Sequence, residues 1–195
     1  MRTETARSTA EARRATVVAR AVSVFARTGY HATPVTEVAA AAGISQAYVF
    51  RLFDGKLGLF VAAIDHCYEQ IRRTLRVSAE KMPAASPVEI LDQMGDDYAD
   101  LIADRDLIRL QIHAQSASDV PEIRDANRRG VASIVTLARE LSGGTQAQVQ
   151  QFIALGQLCH LIVAADLDEV DEPWARTLTR GMRHVTRPPH AGPAE

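Results

Sequence analysis

The sequence predicts an all-α protein with a small N-terminal helical domain and a larger helical body. Three observations predict this class. Alanine is plentiful and aromatic residues make up only 5% of the 195 residues, a composition that favours helices. Apolar residues recur at helical spacing, and no alternating Val/Ile/Tyr-rich run bounded by turns predicts a strand. Helix-capping patterns precede several apolar segments, and the 47% hydrophobic content is enough for a core.

The first helix is predicted at about residues 9–28. Ser8 and Glu11 form a capping-box pattern at its start. Apolar residues follow one helical face from Val18 to Phe25, and the helix is predicted to close at Gly29 and Tyr30.

A helix-turn-helix is predicted next, with helices at residues 34–42 and 45–53 and a turn at Gly43. Ala39 lets the two helices approach, Gly43 takes the left-handed turn without a Cβ penalty, and Val49 packs the second helix on the first. The dominant use of this unit is to place its second helix in the DNA major groove. The alternative is an ordinary helical hairpin with a glycine turn.

The ends of these helices agree with the prediction. Thr33 can cap the first helix, and Pro34 suits the first helical position, where no backbone N–H is needed. Ser45 can cap the second helix.

Five further helix segments and a long connecting helix are predicted downstream. Capping boxes at Ser86/Glu89 and Thr145/Gln148 open two of them. The predicted segments are residues 55–82, 86–103, 105–116, 119–142, 145–167 and 171–185. The last nine residues, 187–195, hold three prolines and one glycine and are predicted to be disordered.

Charge is distributed unevenly along the chain. Residues 1–56 hold eight Lys/Arg and four Asp/Glu, a net charge of +4, so the remainder carries -6 of the total -2. A basic end on an acidic body suits a protein that presents one face to phosphate, although a solvated charged surface also explains it.

The two cysteines, Cys67 and Cys159, form no CxxC pair, so a reducing cytoplasm fits better than a disulfide framework. We expect a cytoplasmic protein: the N-terminus lacks the apolar core of a signal peptide, and the longest apolar segment, residues 152–167, is interrupted by polar side chains. No membrane partner is expected.

Histidines and cysteines on the body helices were weighed as a metal site. The candidates are His66, His113, His160, Cys67 and Cys159. No HxxxH or CxxC spacing places two of them on one helical face, so we expect neither a metal site nor a cofactor.

The N-terminal segment resembles the N-terminal domain of the tetracycline-repressor (TetR) family over about residues 11–71. The matching elements are Phe25-Ala26, Gly29-Tyr30, Thr33, Val38-Ala39, Ala42-Gly43-Ile44-Ser45, Phe53, Lys56 and Leu59. The sequence departs from the family pattern at Ala47, where Gly is frequent, and at Phe50 and Leu52, where Tyr or His is frequent. Neither Phe50 nor Leu52 can donate a hydrogen bond to phosphate, so Tyr48 and Arg51 are expected to make some of those phosphate contacts instead.

The resemblance implies a DNA-binding domain at residues 11–71, with its motif at 34–53, and a ligand-binding and dimerisation domain at 72–186. It implies a homodimer that pairs the apolar helix 145–167 and the last helix with their symmetry mates. Two recognition helices roughly 34–36 Å apart, or somewhat more, would then read a pseudo-palindromic double-stranded operator.

The implied function is a sequence-specific transcriptional regulator, most often a repressor relieved by a small-molecule effector. A regulator without an effector, controlled by a protein partner or acting as an activator, remains open. A helical enzyme with an incidental helix-turn-helix would need a nucleophile–base pair or metal cluster, and none is visible, so no enzymatic activity is expected.

In the predicted recognition helix, Gln46 can pair with adenine, Tyr48 can contact a thymine methyl or a phosphate, and Arg51 can reach guanine or phosphate. Ala47 is small enough for close approach to the groove. The expected phosphate contacts are Thr33, Thr36, Ser45 and Lys56. Alternatively, Thr33 and Ser45 only cap helices, and Thr36 and Lys56 are only solvated.

The ligand pocket is expected between the connecting helix and the helix 145–167. Its candidate lining residues are Tyr68, Met94, Tyr98, Leu110, His113, Phe152, Gly156 and Cys159. The alternative for each is an ordinary core position.

Overall fold

The computed structural model describes residues 2–182, with side chains from residue 11 onward. The described part is all-helical, which confirms the predicted fold class. The helices are α1 Arg2–Ala32, α2 Val35–Ala41, α3 Gln46–Phe53, α4 Gly55–Glu80, α5 Pro87–Leu101, α6 Arg105–Ser116, α7 Pro121–Ser142, α8 Gln146–Ala164 and α9 Pro173–Thr179, with a short 3-10 helix, Leu167–Glu169, before α9.

Helix α1 is longer than predicted. It begins at Arg2, so Ser8 lies inside the helix and the predicted capping box at Ser8 and Glu11 is wrong. The regular helix is interrupted at Gly29, whose φ of 73° and ψ of -177° only glycine adopts readily. The interruption turns the chain toward α2, as the sequence predicted.

The helix-turn-helix is formed by α2 and α3. Gly43 takes the left-handed conformation at φ 66°, and Ala39 and Val49 are buried between the helices. Ser45 caps α3 by accepting a hydrogen bond from the Tyr48 backbone N–H at 3.2 Å. These features confirm the predicted motif.

One predicted cap is wrong. The residue at the N-cap of α2 is Pro34, and no side chain caps this helix. Thr33 is instead fully buried, and its hydroxyl donates to the Gly29 carbonyl at 2.6 Å. The Thr33 hydroxyl, which the sequence assigned to the cap of α2, therefore satisfies a backbone carbonyl near the end of α1 instead.

The long helix α4 connects the helix-turn-helix with the body. It packs against α1 and α3 at one end and against α5 and α7 along its length. The predicted domain boundary between residues 71 and 72 falls inside this continuous helix. The functional boundary between the two domains therefore stays a prediction.

The body helices follow their predicted starts closely. Both capping boxes form, at Ser86/Glu89 and at Thr145/Gln148. Helix α8 ends at Ala164 rather than near 167, because the chain turns through Asp166 at φ 47° into the 3-10 helix. Helix α9 ends at Thr179, so the predicted extension toward 185 fails at residues 180–182; residues 183–195, including the predicted tail, lie outside the described residues.

Helix α8 is more apolar than the sequence expectation allowed. Among residues 2–182 it alone is long and apolar enough to cross a membrane by length and composition, with a mean hydropathy of 1.2. It contacts α5, α6 and α7, and its residues Cys159 and Ile162 are buried against them. The core helix of a soluble protein passes the same composition test, but only 28% of the apolar window of α8 is buried, so one side of the helix stays open.

Candidate functional site

The exposed face of α3 carries the side chains that the sequence assigned to DNA bases. Gln46, Ala47 and Arg51 are exposed, while Val49 points inward and is fully buried. Phe50 lies on the same open side and is 51% exposed. An exposed phenyl ring beside a polar edge suits contact with a thymine methyl group or a sugar.

Tyr48 and Arg51 act as a pair on this face. The Arg51 guanidinium lies over the Tyr48 ring, 4.5 Å from its centroid. Arg13 on α1 lies beside the Tyr48 hydroxyl, and its guanidinium lowers the pKa of Tyr48. The three side chains form one basic cluster that spans α1 and α3.

Sequence reasoning missed the contribution of α1 to this surface. Arg13, Arg14 and Thr16 are exposed, and Arg13 and Thr16 border a shallow groove whose other side holds Ser45 and Tyr48. The adjacent arginines Arg13 and Arg14 in the basic N-terminal segment indicate such a surface. The sequence analysis assigns their helix only a covering position over the motif.

Two expected phosphate contacts have structural partners inside the domain. Thr33 is fully buried, and its hydroxyl donates to the Gly29 carbonyl. Thr33 therefore does not lie on a surface that phosphate could contact. Lys56 donates to the carbonyls of Thr33 at 3.1 Å and His31 at 3.4 Å, and its ammonium lies 4.7 Å from the centroid of the Tyr30 ring. Lys56 thus fastens α4 to the end of α1.

Thr36 and Ser45 remain accessible. Thr36 is exposed in the first turn of α2, next to Glu37, which pairs with Arg27 at 3.0 Å. Ser45 is exposed while it caps α3. Both hydroxyls lie at helix N-termini, where backbone N–H groups also favour an anion.

A cavity of about 710 Å³ lies in the body between α4, α5, α6, α7 and α8. This volume is typical of a site for a small organic molecule. Its apolar wall includes Ile71, Leu75, Leu91, Val131, Ile134 and Phe152.

Five of the eight residues expected to line a pocket do line it, namely Tyr68, Tyr98, Phe152, Gly156 and Cys159. Met94 and Leu110 do not, because both side chains are fully buried in the core. His113 does not either, because it turns away from the cavity toward Gly29 of α1.

The polar lining was missed by the sequence analysis. Five glutamines border the cavity: Gln111, Gln115, Gln148, Gln151 and Gln157. Long uncharged side chains on helices resemble ordinary surface positions, so only the packing of the helices identifies them. Gln115 donates to Gln157 at 3.1 Å and joins α6 to α8.

A buried chain of polar groups forms part of the same wall. Gln111 donates to the Tyr98 hydroxyl at 3.3 Å, and that hydroxyl lies 3.3 Å from Nε2 of His160. His160 is 6% exposed, its Nδ1 has no hydrogen-bond partner among the described residues, and burial lowers the pKa of its imidazole to about 4. Burial also raises the pKa of Tyr98. Both groups are therefore uncharged at neutral pH.

The residues weighed as metal ligands lie in separate surroundings. His113 packs at Gly29, His160 borders the cavity, and the Cys67 thiol lies 3.6 Å from the Leu107 carbonyl. Burial raises the pKa of Cys67 to about 12, which keeps its thiol protonated. Among residues 11–182, no group of three or more His, Cys, Asp or Glu side chains could hold a metal ion.

Helix α6 lies between the cavity and α1. Gln111 and Gln115 face the cavity, and His113, on the opposite side of the same helix, contacts α1 at Gly29. A displacement of α6 by a molecule in the cavity would act directly on the joint between α1 and α2.

Comparison with protein families matches residues 17–63 to the bacterial regulatory proteins of the tetR family. This segment contains most of α1, all of α2 and α3, and the start of α4. A curated relative, the HTH-type transcriptional regulator CymR of Pseudomonas putida, is 30% identical over 116 residues. That match spans 59% of this chain and 56% of CymR, so the chain covers little more than half of the relative's length.

Solved structures share the fold over most of the chain. The regulator FadR of Bacillus subtilis, in complex with stearoyl-CoA, aligns with a TM-score of 0.67 at 17% sequence identity. The alignment covers 84% of this chain and 94% of the FadR chain. The multidrug binding protein EbrR, complexed with imidazole, aligns with a TM-score of 0.62 at 22% sequence identity, over 89% of this chain and 97% of the EbrR chain. At these identities the likeness concerns the fold.

Proposed function

Because the chain belongs to the TetR family of bacterial regulatory proteins, we propose that it is a homodimeric, sequence-specific DNA-binding regulator of transcription. In its commonest form such a protein represses from a pseudo-palindromic operator and is released by a small molecule. As a regulator of chromosomal genes it would act in the cytoplasm.

The observation that carries the proposal is the open face of α3. Gln46 and Arg51 are exposed there on a helix that its cap and Val49 hold in place. The proposed base contacts are Gln46, Tyr48 and Arg51, with Ala47 allowing close approach. Thr36, Ser45 and Lys56 are the proposed phosphate contacts, and we add Arg13 and Arg14; Thr33 is left out because it is buried.

The proposed dimer interface is the outer face of α8 together with α9. Leu161 of α8 is 50% exposed and Trp174 of α9 is 55% exposed. Large apolar side chains at this density on neighbouring helices are typical of a surface that another subunit covers. A second copy would then place two α3 helices on one side of the assembly.

The cavity supports effector control over the alternative of a regulator without a small-molecule effector. A space of about 710 Å³ with an apolar wall and several polar groups is of the size and character of a small-molecule site. FadR of Bacillus subtilis binds stearoyl-CoA and EbrR binds imidazole, and we extend only the existence of a ligand to this chain. The helix α6 that lines the cavity also contacts α1, the helix that precedes the helix-turn-helix.

Selection of binding sites from random duplex DNA by the full chain tests the proposal. We expect a palindromic motif, recovered at a stated salt concentration, because a two-fold dimer reads two equal half-sites. Recovery of no motif, with tight binding at low salt only, would contradict the proposal. An Arg51→Ala variant should bind the selected motif more weakly, while a variant of an exposed arginine on α7, Arg128→Ala, should bind it as the unsubstituted chain does.

A further inference from the structure

Gly130 of α7 packs against the side chain of Tyr68 of α4, one of the aromatic residues that border the cavity. A Cβ on Gly130 would lie 2.1 Å from Cδ2, 2.3 Å from Cε2 and 2.4 Å from Cγ of Tyr68. These three atoms are consecutive in the ring and nearly equidistant from the Cβ, so the Cβ would stand over the face of the ring rather than at its edge. One face of the Tyr68 ring therefore packs directly on the backbone of α7.

The contact leaves no room for a side chain at position 130. Carbon atoms in van der Waals contact are about 3.5–4.0 Å apart, so Gly130→Ala requires a shift of more than about 1 Å between the new methyl group and the ring. Glycine in a helix interior is also less favourable than alanine, and Gly130 lies in the middle of α7. The glycine therefore serves the contact with Tyr68 and not the helix itself.

The position of α7 is fixed by core residues on both sides of Gly130. Ala126 lies one turn before it, Ile123 lies two turns before it and Ile134 lies one turn after it, and all three are buried. A retreat of α7 from α4 would unpack these side chains and open gaps in the core. The shift that Gly130→Ala requires is therefore costly for the helix to make.

The Tyr68 ring, in contrast, has open space beside it. It borders the cavity of about 710 Å³, and a rotation about its side-chain torsions carries it toward that space. The rotation meets little resistance on this side because the cavity is open there. The ring would therefore yield to a methyl group at position 130, and the cavity would become smaller by the volume that the ring takes up.

We infer that Gly130 determines how large a molecule the cavity admits, because it lets the Tyr68 ring withdraw onto the backbone of α7. Gly130 is a positioning residue, which acts on a ligand through Tyr68. This inference rests on the proposed function, in which the cavity is the effector site. The effector that fits this wall is a bulky molecule that occupies the space beside Tyr68, and Gly130→Ala would restrict the cavity to smaller molecules.

Fluorescence titration of the full chain, without DNA, tests the inference with two uncharged probes. N-phenyl-1-naphthylamine carries a phenyl group that 1-naphthylamine lacks, and the two molecules are otherwise alike. The unsubstituted chain should bind the larger probe at least about tenfold more tightly, because burial of a phenyl group in an apolar site is favourable. Gly130→Ala should reduce this preference to less than about threefold and leave the affinity for 1-naphthylamine within about twofold.

Two further variants separate the displaced ring from the added methyl group. Gly95→Ala adds the same methyl group at the cavity wall, where a Cβ meets nothing within 4 Å, so it moves no ring and should keep the larger part of the preference. Tyr68→Ala removes the ring. In that background, adding Gly130→Ala should change the preference by less than about twofold, because the two residues act through one contact.

Four results would overturn the inference: no preference for the larger probe in the unsubstituted chain, a preference that survives Gly130→Ala in full, an equal loss from Gly95→Ala, or a loss from Gly130→Ala that persists in the Tyr68→Ala background. Loss of both probes by Gly130→Ala would overturn it as well, because the methyl group would then disrupt the body instead of moving the ring. The site selection tests DNA binding separately. A chain that selects no DNA motif can still show the size preference, so the two failures are distinguishable.

Discussion

His113 of α6 fills the space beside Gly29 of α1. A Cβ on Gly29 would lie 2.7 Å from Nδ1 of His113, and the glycine has a φ of 73°. This contact joins the helix that borders the cavity to the joint that turns the chain into the DNA-binding motif. It is one physical route between the proposed effector site and the helix-turn-helix; α4, which lines the cavity and packs directly on α3, is another.

Gly29→Ala should therefore destabilise the fold for two reasons, steric overlap with His113 and left-handed backbone strain. We expect a loss of roughly 2–4 kcal/mol in the free energy of unfolding, measured by urea denaturation. Gly43→Ala is the matched control: its φ is 66° and a Cβ there meets nothing within 4 Å, so it reports strain alone, at about 1–2 kcal/mol. Equal losses in the two variants would show that the His113 contact costs nothing.

Arg51→Ala should weaken operator binding by about 1–3 kcal/mol, because it removes a cation from the centre of the exposed α3 face. Fluorescence anisotropy with the selected operator and its single-base variants would measure this. If specificity relaxes at one base position, Arg51 reads that base; a uniform loss and a shallower salt dependence mean that it holds a phosphate. Unchanged affinity for every duplex would remove Arg51 from the proposed interface.

His160 should make the fold sensitive to mild acid. Its pKa is about 4 in the folded chain and 6.5 in an ordinary environment, so the unfolded chain takes up the proton first as pH falls. The associated stability is complete above about pH 6.5 and is lost between there and pH 4, with about 2 kcal/mol gone at pH 5. Burial also lowers the pKa of His66, which adds to the loss in the same direction.

Urea denaturation at pH 7 and pH 5 isolates the contribution of His160. A His160→Gln variant keeps a hydrogen-bonding side chain toward Tyr98 but cannot take up the proton. It should lose less stability than the unsubstituted chain between the two pH values. Identical losses would assign the acid sensitivity to other groups.

Leu161→Glu should convert the proposed dimer to a monomer, because it puts a charge on the outer face of α8. Leu161 is 50% exposed, so the fold of one chain should tolerate the change. Val77→Glu is the matched control: Val77 is also 50% exposed but lies on α4, away from the proposed interface. Sedimentation velocity gives the oligomeric state, and operator affinity should fall about a hundredfold with loss of the second half-site. A dimeric Leu161→Glu variant would place the interface elsewhere.

The sequence alone identified the features that depend on neighbours three or four residues away. Both capping boxes, the Ser45 cap and the starts of α5 and α8 follow from backbone groups that one nearby side chain satisfies. The Gly43 turn follows from a left-handed backbone that glycine adopts without strain. The candidate recognition residues also follow from the sequence, because the apolar positions of a helix determine which of its faces is exposed. The predicted cap at Ser8 failed because the helical pattern continues upstream without interruption.

Only the tertiary structure decided which helical faces meet. It buried Thr33 beneath the end of α1, brought Arg13 to Tyr48, turned His113 away from the cavity, and placed the five glutamines around it. None of these positions differs locally from an ordinary surface or core residue. Helical periodicity determines which side chains share a face, but the packing of several helices at once determines whether that face meets solvent, core or cavity.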